Sequence, residues 1–188
     1  MPSTGQNAMP MLASELTGTP AWQRARAGLF LALQQPIEVP GVRLEDVLAE
    51  ALSAAGSDPA GALGALSAEA DAIGFDRRFL TRPLNVDLSG GERKRNEILQ
   101  LSVIRPRFAL LDEIDSGLDV DGLGAVGRRI QAATGEWELG VLAITHFRRL
   151  LDVLTPDVVH VLHDGRMVAN GGPELAEMVD RAGYTAFG

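Results

Sequence analysis

Residues 86–119 read VDLSGGERKRNEILQLSVIRPRFALLDEIDSGLD. Ser89-Gly90-Gly91-Glu92 opens a segment with helical patterning. Phe108–Leu111 is a short apolar run that ends on two adjacent carboxylates, Asp112 and Glu113. Ser116-Gly117-Leu118-Asp119 then combines turn residues with a helix N-cap residue. The order is helix, strand, turn, helix, which is the unit of an α/β fold with a largely parallel sheet.

The same alternation continues on both sides. Downstream, Val141–Thr145 and Val158–Leu162 are apolar enough for strands, and Arg166–Ala169 would pair with its predecessor through a turn at Asp164-Gly165. A closing helix should begin near Pro173, since proline suits the first turn. Upstream, the continuous apolar run Ala27–Leu33 suits a buried strand and stops at Gln34-Gln35-Pro36. From Val42 to Gly74 the composition turns Ala-rich, with Leu44, Val47, Leu48, Ala51 and Leu52 on one helical face. The spacing predicts a poorly ordered lead-in over 1–20 and one domain over 21–188. Within that domain, about 42–86 form a small helical subdomain and about 87–188 the α/β core.

Composition narrows the function. The 188 residues are 46% hydrophobic and 22% charged, enough apolar material for a packed core. Lys plus Arg number 17 against 25 Asp plus Glu, a net charge of −8, which disfavours nucleic acid and an anionic membrane surface as partners. Cysteine is absent, so disulfides, thiolate metal sites and a cysteine nucleophile are excluded. No apolar run reaches the length of a membrane span, and the first residues lack a signal-peptide pattern, so the expected location is the cytoplasm.

Each motif carries two readings. Ser89 with Glu92 three residues on is a capping box, which needs no glycine pair. Gly90 and Gly91 would bare backbone N–H groups at the positive end of a helix, an anion site. Asp112 and Glu113 end a strand, where open α/β sheets bind ligands. There Asp112 could support Mg²⁺ and Glu113 could act on an attacking water. The alternative is a solvated acidic loop. Asp119 is equally an N-cap, and His146, directly after VLAIT, equally a structural histidine or a phosphate contact. Gln34 also follows a strand directly. Ser89 precedes Asp112 by 23 residues and Asp112 precedes His146 by 34, each interval holding one helix and one strand. Three polar clusters should therefore reach one edge of one sheet.

In order, Gln34, LSGGE, FALLDE, SGLD and Ile144-Thr145-His146 resemble the Q-loop, signature, Walker B, D-loop and switch histidine of ATP-binding-cassette (ABC) ATPases. LSGGERKRNEILQL, LLDEIDSGLDVDGL and LHDGRMVANGGPELA resemble more closely the SufC branch, the ATPases of SUF iron–sulfur cluster assembly. The resemblance runs from about Arg24 to Tyr184. It implies a P-loop NTPase-like ABC fold, with a mostly parallel sheet flanked by helices and a small helical subdomain. It implies ATP and Mg²⁺ as ligands. Ser89, Gly90, Gly91 and Glu92 would meet the γ-phosphate held by a facing protomer. Gln34 and Asp112 would serve Mg²⁺, Glu113 the attacking water, Asp119 the dimer seam, and His146 the γ-phosphate. Expected partners are SufB/SufD-like scaffold proteins and a second ATPase protomer, either a copy or an intact one, with no nucleic acid and no insertion into a membrane.

One expected element has no counterpart. No G-x-x-x-x-G-K-[ST] occurs, and the only lysine, Lys94, lies in the signature helix. The resemblance is thus to an N-terminally truncated ABC ATPase without its Walker A strand, loop and helix, inactive alone. Two alternatives stand beside it. One is a non-hydrolytic module that supplies the signature motif or scaffold docking in trans. The other is a metal-dependent hydrolase built on Asp112, Glu113, Asp115 and His146.

Overall fold

Three parallel strands organise the chain: β1 (Leu29–Ala32), β4 (Phe108–Asp112) and β5 (Gly140–Ile144), in spatial order β1-β4-β5. The structure, a computed structural model, describes residues 16–145 and 148–183. Register aligns Ala32 with Leu111 and Asp112 with Ile144, so all three strands end at one rim. β1 is shorter than the apolar run predicts. A helix α1 (Ala21–Arg26) precedes it, and Gly28, at φ +95°, turns the chain into the strand.

One face of this sheet is closed. Ala32, Ala109 and Leu111 are at most 1% exposed and pack in one core with α5 (Gly90–Ile104) and α6 (Val120–Glu136). Alternation along the strands sends their neighbours to the opposite face. There Leu31, Leu142 and Ile144 remain 52%, 47% and 59% exposed. Parallel sheets normally have both faces covered, so this bare face is the unusual feature of the fold.

The region expected to be helical holds three helices, α2 (Leu44–Ala54), α3 (Pro59–Gly64) and α4 (Leu66–Ala72). Leu44, Leu48 and Leu52 form the buried stripe of α2. A short strand pair that the sequence reading does not anticipate brackets the three helices. β2 (Val39–Arg43) runs antiparallel to β3 (Pro83–Leu84), tying the segment after Gln34 to the approach to α5.

The last two strands depart from the expected single sheet. β6 (Val159–His163) and β7 (Arg166–Gly171) form their own antiparallel hairpin and do not join the parallel strands. Their turn is the expected one, with Asp164 at φ +47° and Gly165 at φ +73°, the left-handed pair that a tight hairpin requires. α7 (Glu174–Ala182) follows Pro173.

Candidate functional site

The helix α5 starts where the capping box predicts. Ser89 Oγ accepts from the Glu92 N–H at 3.3 Å, and Glu92 Oε2 accepts from the Ser89 N–H at 2.7 Å. Hydrogen bonding to the Ser89 side chain and backbone holds the Glu92 carboxyl below its usual range. The two glycines then prove unequal. A Cβ on Gly91 would sit 2.8 Å from the Gly117 carbonyl oxygen, whereas a Cβ on Gly90 would meet nothing within 4 Å. Close packing against the 116–119 turn therefore explains Gly91 without a ligand. Gly90 alone leaves exposed backbone at a 15-residue helix's positive end.

β4 delivers Asp112 and Glu113 to the rim. Glu113 sits at φ +46°, a left-handed conformation that is uncommon for a non-glycine residue and concentrates at functional sites. Its N–H donates to Ile144 O at 2.9 Å, and its carboxylate Oε2 accepts from Gln34 Nε2 at 2.7 Å. Gln34 and Glu113 are 79 positions apart in the chain, so this bond is made by the fold. The turn continues through Asp115, buried, whose Oδ2 accepts from Thr145 Oγ1 at 2.7 Å. That bond ties the turn after β4 to the residue that follows β5, one position before His146. His146 itself lies outside the described residues.

Asp119 caps α6, accepting from the Gly122 N–H at 2.9 Å, and pairs with Arg95 Nη2 at 2.9 Å. The fold thus brings Gln34, Asp112 and Glu113 together at the strand ends. Ser89, Gly90 and Gly91 form the start of α5, which packs against the 116–119 turn at Gly91 and Gly117, and Asp119 ends that turn.

Sequence reasoning passed over three polar residues of α5. Arg93 and Arg95 are partly buried and pair with Glu38 and Asp119. Lys94 is 2% exposed, and its Nζ donates to Leu33 O at 2.6 Å and to Asp112 O at 3.3 Å, with burial lowering its pKa. Asn96 donates to Asn85 Oδ1 at 2.7 Å, and Asn85 in turn donates to Ile37 O at 2.9 Å. Glu97 accepts from the Leu33 N–H at 3.0 Å, and burial pushes its carboxyl up to about 7. A signal existed: Lys94, Glu97, Ile98 and Leu101 recur at three- and four-residue spacing, so two ionisable groups share the apolar face.

The carboxylates and amide at the rim are hard oxygen donors of the sort Mg²⁺ uses when it arrives with phosphates and keeps several waters. Among the described residues no group of three or more acidic or histidine side chains could hold a metal by itself. The donor set fits a cation carried by a nucleotide.

No family model matches the chain. A probable ABC transporter ATP-binding protein of Streptococcus pyogenes serotype M3 is 43% identical over 170 residues, covering 88% of this chain and 66% of that protein. Vegetative protein 296 of Bacillus subtilis is 45% identical over 167 residues, with 86% and 64% covered. The probable ATP-dependent transporter ycf16 of Pyropia yezoensis is 40% identical over 169 residues, with 86% and 67% covered. The chain thus spans about two-thirds of the length of these relatives. Among solved structures, an ATP-binding subunit of an ABC transporter superposes with a TM-score of 0.72 at 22% identity, over 90% of this chain and 68% of that one. A dimeric bacterial ABC transporter cassette gives 0.66 at 18% identity, over 80% and 65%. Among the described residues no helix is long and apolar enough to cross a membrane. Likeness in fold and 40–45% identity to curated relatives agree: the chain belongs to the ABC transporter ATP-binding protein family.

Proposed function

We propose that the chain is the signature-, Walker B- and Q-loop-bearing part of an ABC-type ATPase of the SufC kind, which couples ATP binding and hydrolysis to a SUF iron–sulfur scaffold. The observation that carries the reading is the bond from Gln34 to Glu113. It joins the Q-loop glutamine to the carboxylate expected to orient water. The SufC assignment is supported by the LSGGERKRNEILQL and LLDEIDSGLDVDGL strings, which suit SufB/SufD-like scaffold proteins as partners.

In this reading Gly90 and the α5 N-terminus receive the γ-phosphate of ATP bound on a second protomer. Asp112 supports Mg²⁺, which when bound neutralises phosphate charge. Glu113 accepts a hydrogen bond from the attacking water and aligns it, with Gln34 limiting where that carboxylate can go. Asp119 serves the dimer seam, and the family resemblance assigns the γ-phosphate to His146. Nothing in these 188 residues supplies the lysine and N–H cradle for β- and γ-phosphates. Catalysis by this chain alone should therefore be lost, since positioning contributes several orders of magnitude.

The bare apolar face around Leu31, Leu142 and Ile144 favours a second reading, that the chain works by completing a site in trans. Steady-state ATP hydrolysis by the purified chain tests the first point. Turnover should be at background, and equal in Glu113→Gln; turnover that Glu113→Gln abolishes would contradict it. Retention of a SufB/SufD-like scaffold by the immobilised chain tests the SUF assignment, and no retention contradicts it.

A further inference from the structure

We propose that Lys94 and Glu97 are positioning residues that grip the Leu33 peptide from both sides and so set Gln34 against Glu113. The inference rests on the proposed pairing of Gln34 with Glu113 at an ATP site. β1 ends at Ala32, and Leu33 is the first residue beyond it. Its two backbone groups therefore leave the sheet ladder and need partners. Both come from one face of α5. Glu97 takes the N–H at 3.0 Å and Lys94 the carbonyl at 2.6 Å. Lys94 also reaches Asp112 O at 3.3 Å, on the strand end that presents Glu113. One buried ammonium thus spans the ends of β1 and β4, immediately before Gln34 and Glu113.

This arrangement is costly unless it does something specific. Glu97 is 6% exposed, and its second oxygen, Oε2, has no hydrogen-bond partner. A packed apolar pair would serve stability at least as well as two buried ionisable groups. The clamp instead gives directional control. The helix that bears Gly90 at its first turn holds, one turn later, the backbone that aims Gln34. A displacement of the α5 N-terminus by a bound phosphate would then move Gln34 relative to Glu113.

The test reads the chain without nucleotide. In ¹⁵N-resolved NMR spectra, the Leu33 backbone amide reports the clamp and the Gln34 side-chain amide reports its consequence. Glu97→Ala and Lys94→Met should shift the Gln34 signal toward that seen in Glu113→Gln. Glu97→Ala should also speed Leu33 amide exchange about tenfold or more. Glu97→Gln, which keeps an acceptor, should leave both signals at their wild-type positions. Ile98→Val, a fully buried change on the same helix, should lower stability without moving Gln34. Should Glu97→Ala not fold, Glu97→Asp, one methylene shorter, gives the same readout.

Folded clamp variants with wild-type Leu33 and Gln34 signals overturn the proposal, as does an equal Gln34 shift in Ile98→Val. A Gln34 signal that ignores Glu113→Gln while Leu33 still responds to Glu97→Ala overturns the proposed site pairing instead.

Discussion

Replacing Glu97 with glutamine should make the chain's stability markedly less dependent on pH. Glu97 lies beneath the strand ends with one oxygen on the Leu33 N–H and the other without a partner. Burial raises its carboxyl from 4.5 to about 7, against the opposing pull of the Leu33 N–H and of Lys94. The sign follows from linkage. A carboxyl with a raised pKa binds its proton more tightly when folded, so folding is favoured at low pH. Stability contributed this way is present below about pH 4.5 and lost as pH rises through about 7. At 1.36 kcal/mol per pKa unit, the full effect is about 3 kcal/mol between pH 4.5 and 8. Glutamine imitates the protonated acid: it keeps the acceptor for Leu33 and places an unpaired N–H₂ where the neutral acid places its O–H. Urea unfolding at several pH values measures the effect, because the other carboxylates cancel when wild type and variant are compared. Relative to the variant, the wild-type midpoint should fall by roughly 1–2 M urea from pH 5 to pH 8, with an unchanged slope. Parallel curves would show that Glu97 is not held as an uncharged acid and would refute the burial reasoning.

Two further contrasts follow from the geometry. Gly91→Ala should cost about 1–3 kcal/mol in denaturant unfolding, because its Cβ meets the backbone carbonyl of Gly117 at 2.8 Å and neither partner is a flexible side-chain end. Gly90→Ala, in open space, should be neutral or stabilise by up to about 1 kcal/mol as a helix residue. On the sheet, Leu111→Ala should cost about 2–5 kcal/mol, since the side chain is 1% exposed. Leu142→Asn on the bare face should change stability by no more than about 0.5 kcal/mol and reduce binding of an apolar dye.

Much of the site was legible because it is written in local patterns. A capping box needs only Ser89 and Glu92, and a strand ending in charge needs only Phe108–Glu113. Turn chemistry at Asp164-Gly165 announced the last hairpin. What stayed hidden depends on contacts between distant segments. The β2–β3 pair is two short strands, each holding a proline (Pro40 and Pro83), and neither shows alternation. That β6 leaves the parallel sheet cannot be read from its apolar sequence, which suits either pairing. Gly91 looked like an anion-site glycine because its true neighbour, Gly117, lies 26 residues away. Lys94 and Glu97 lie in a charged run, and only their spacing to Ile98 and Leu101 shows the face they share.

The proposed phosphate role of the α5 N-terminus is tested most directly by mixing the chain with a full-length relative, such as the probable ABC transporter ATP-binding protein of Streptococcus pyogenes serotype M3, 43% identical to it. Sedimentation would be followed with and without ATP and Mg²⁺. A mixed dimer is expected only with nucleotide, and it should disappear when Gly90 is replaced by a bulky residue that fills the exposed helix start. A chain that never associates, or that associates equally without nucleotide and with Gly90 blocked, contradicts a phosphate-receiving role for the α5 N-terminus.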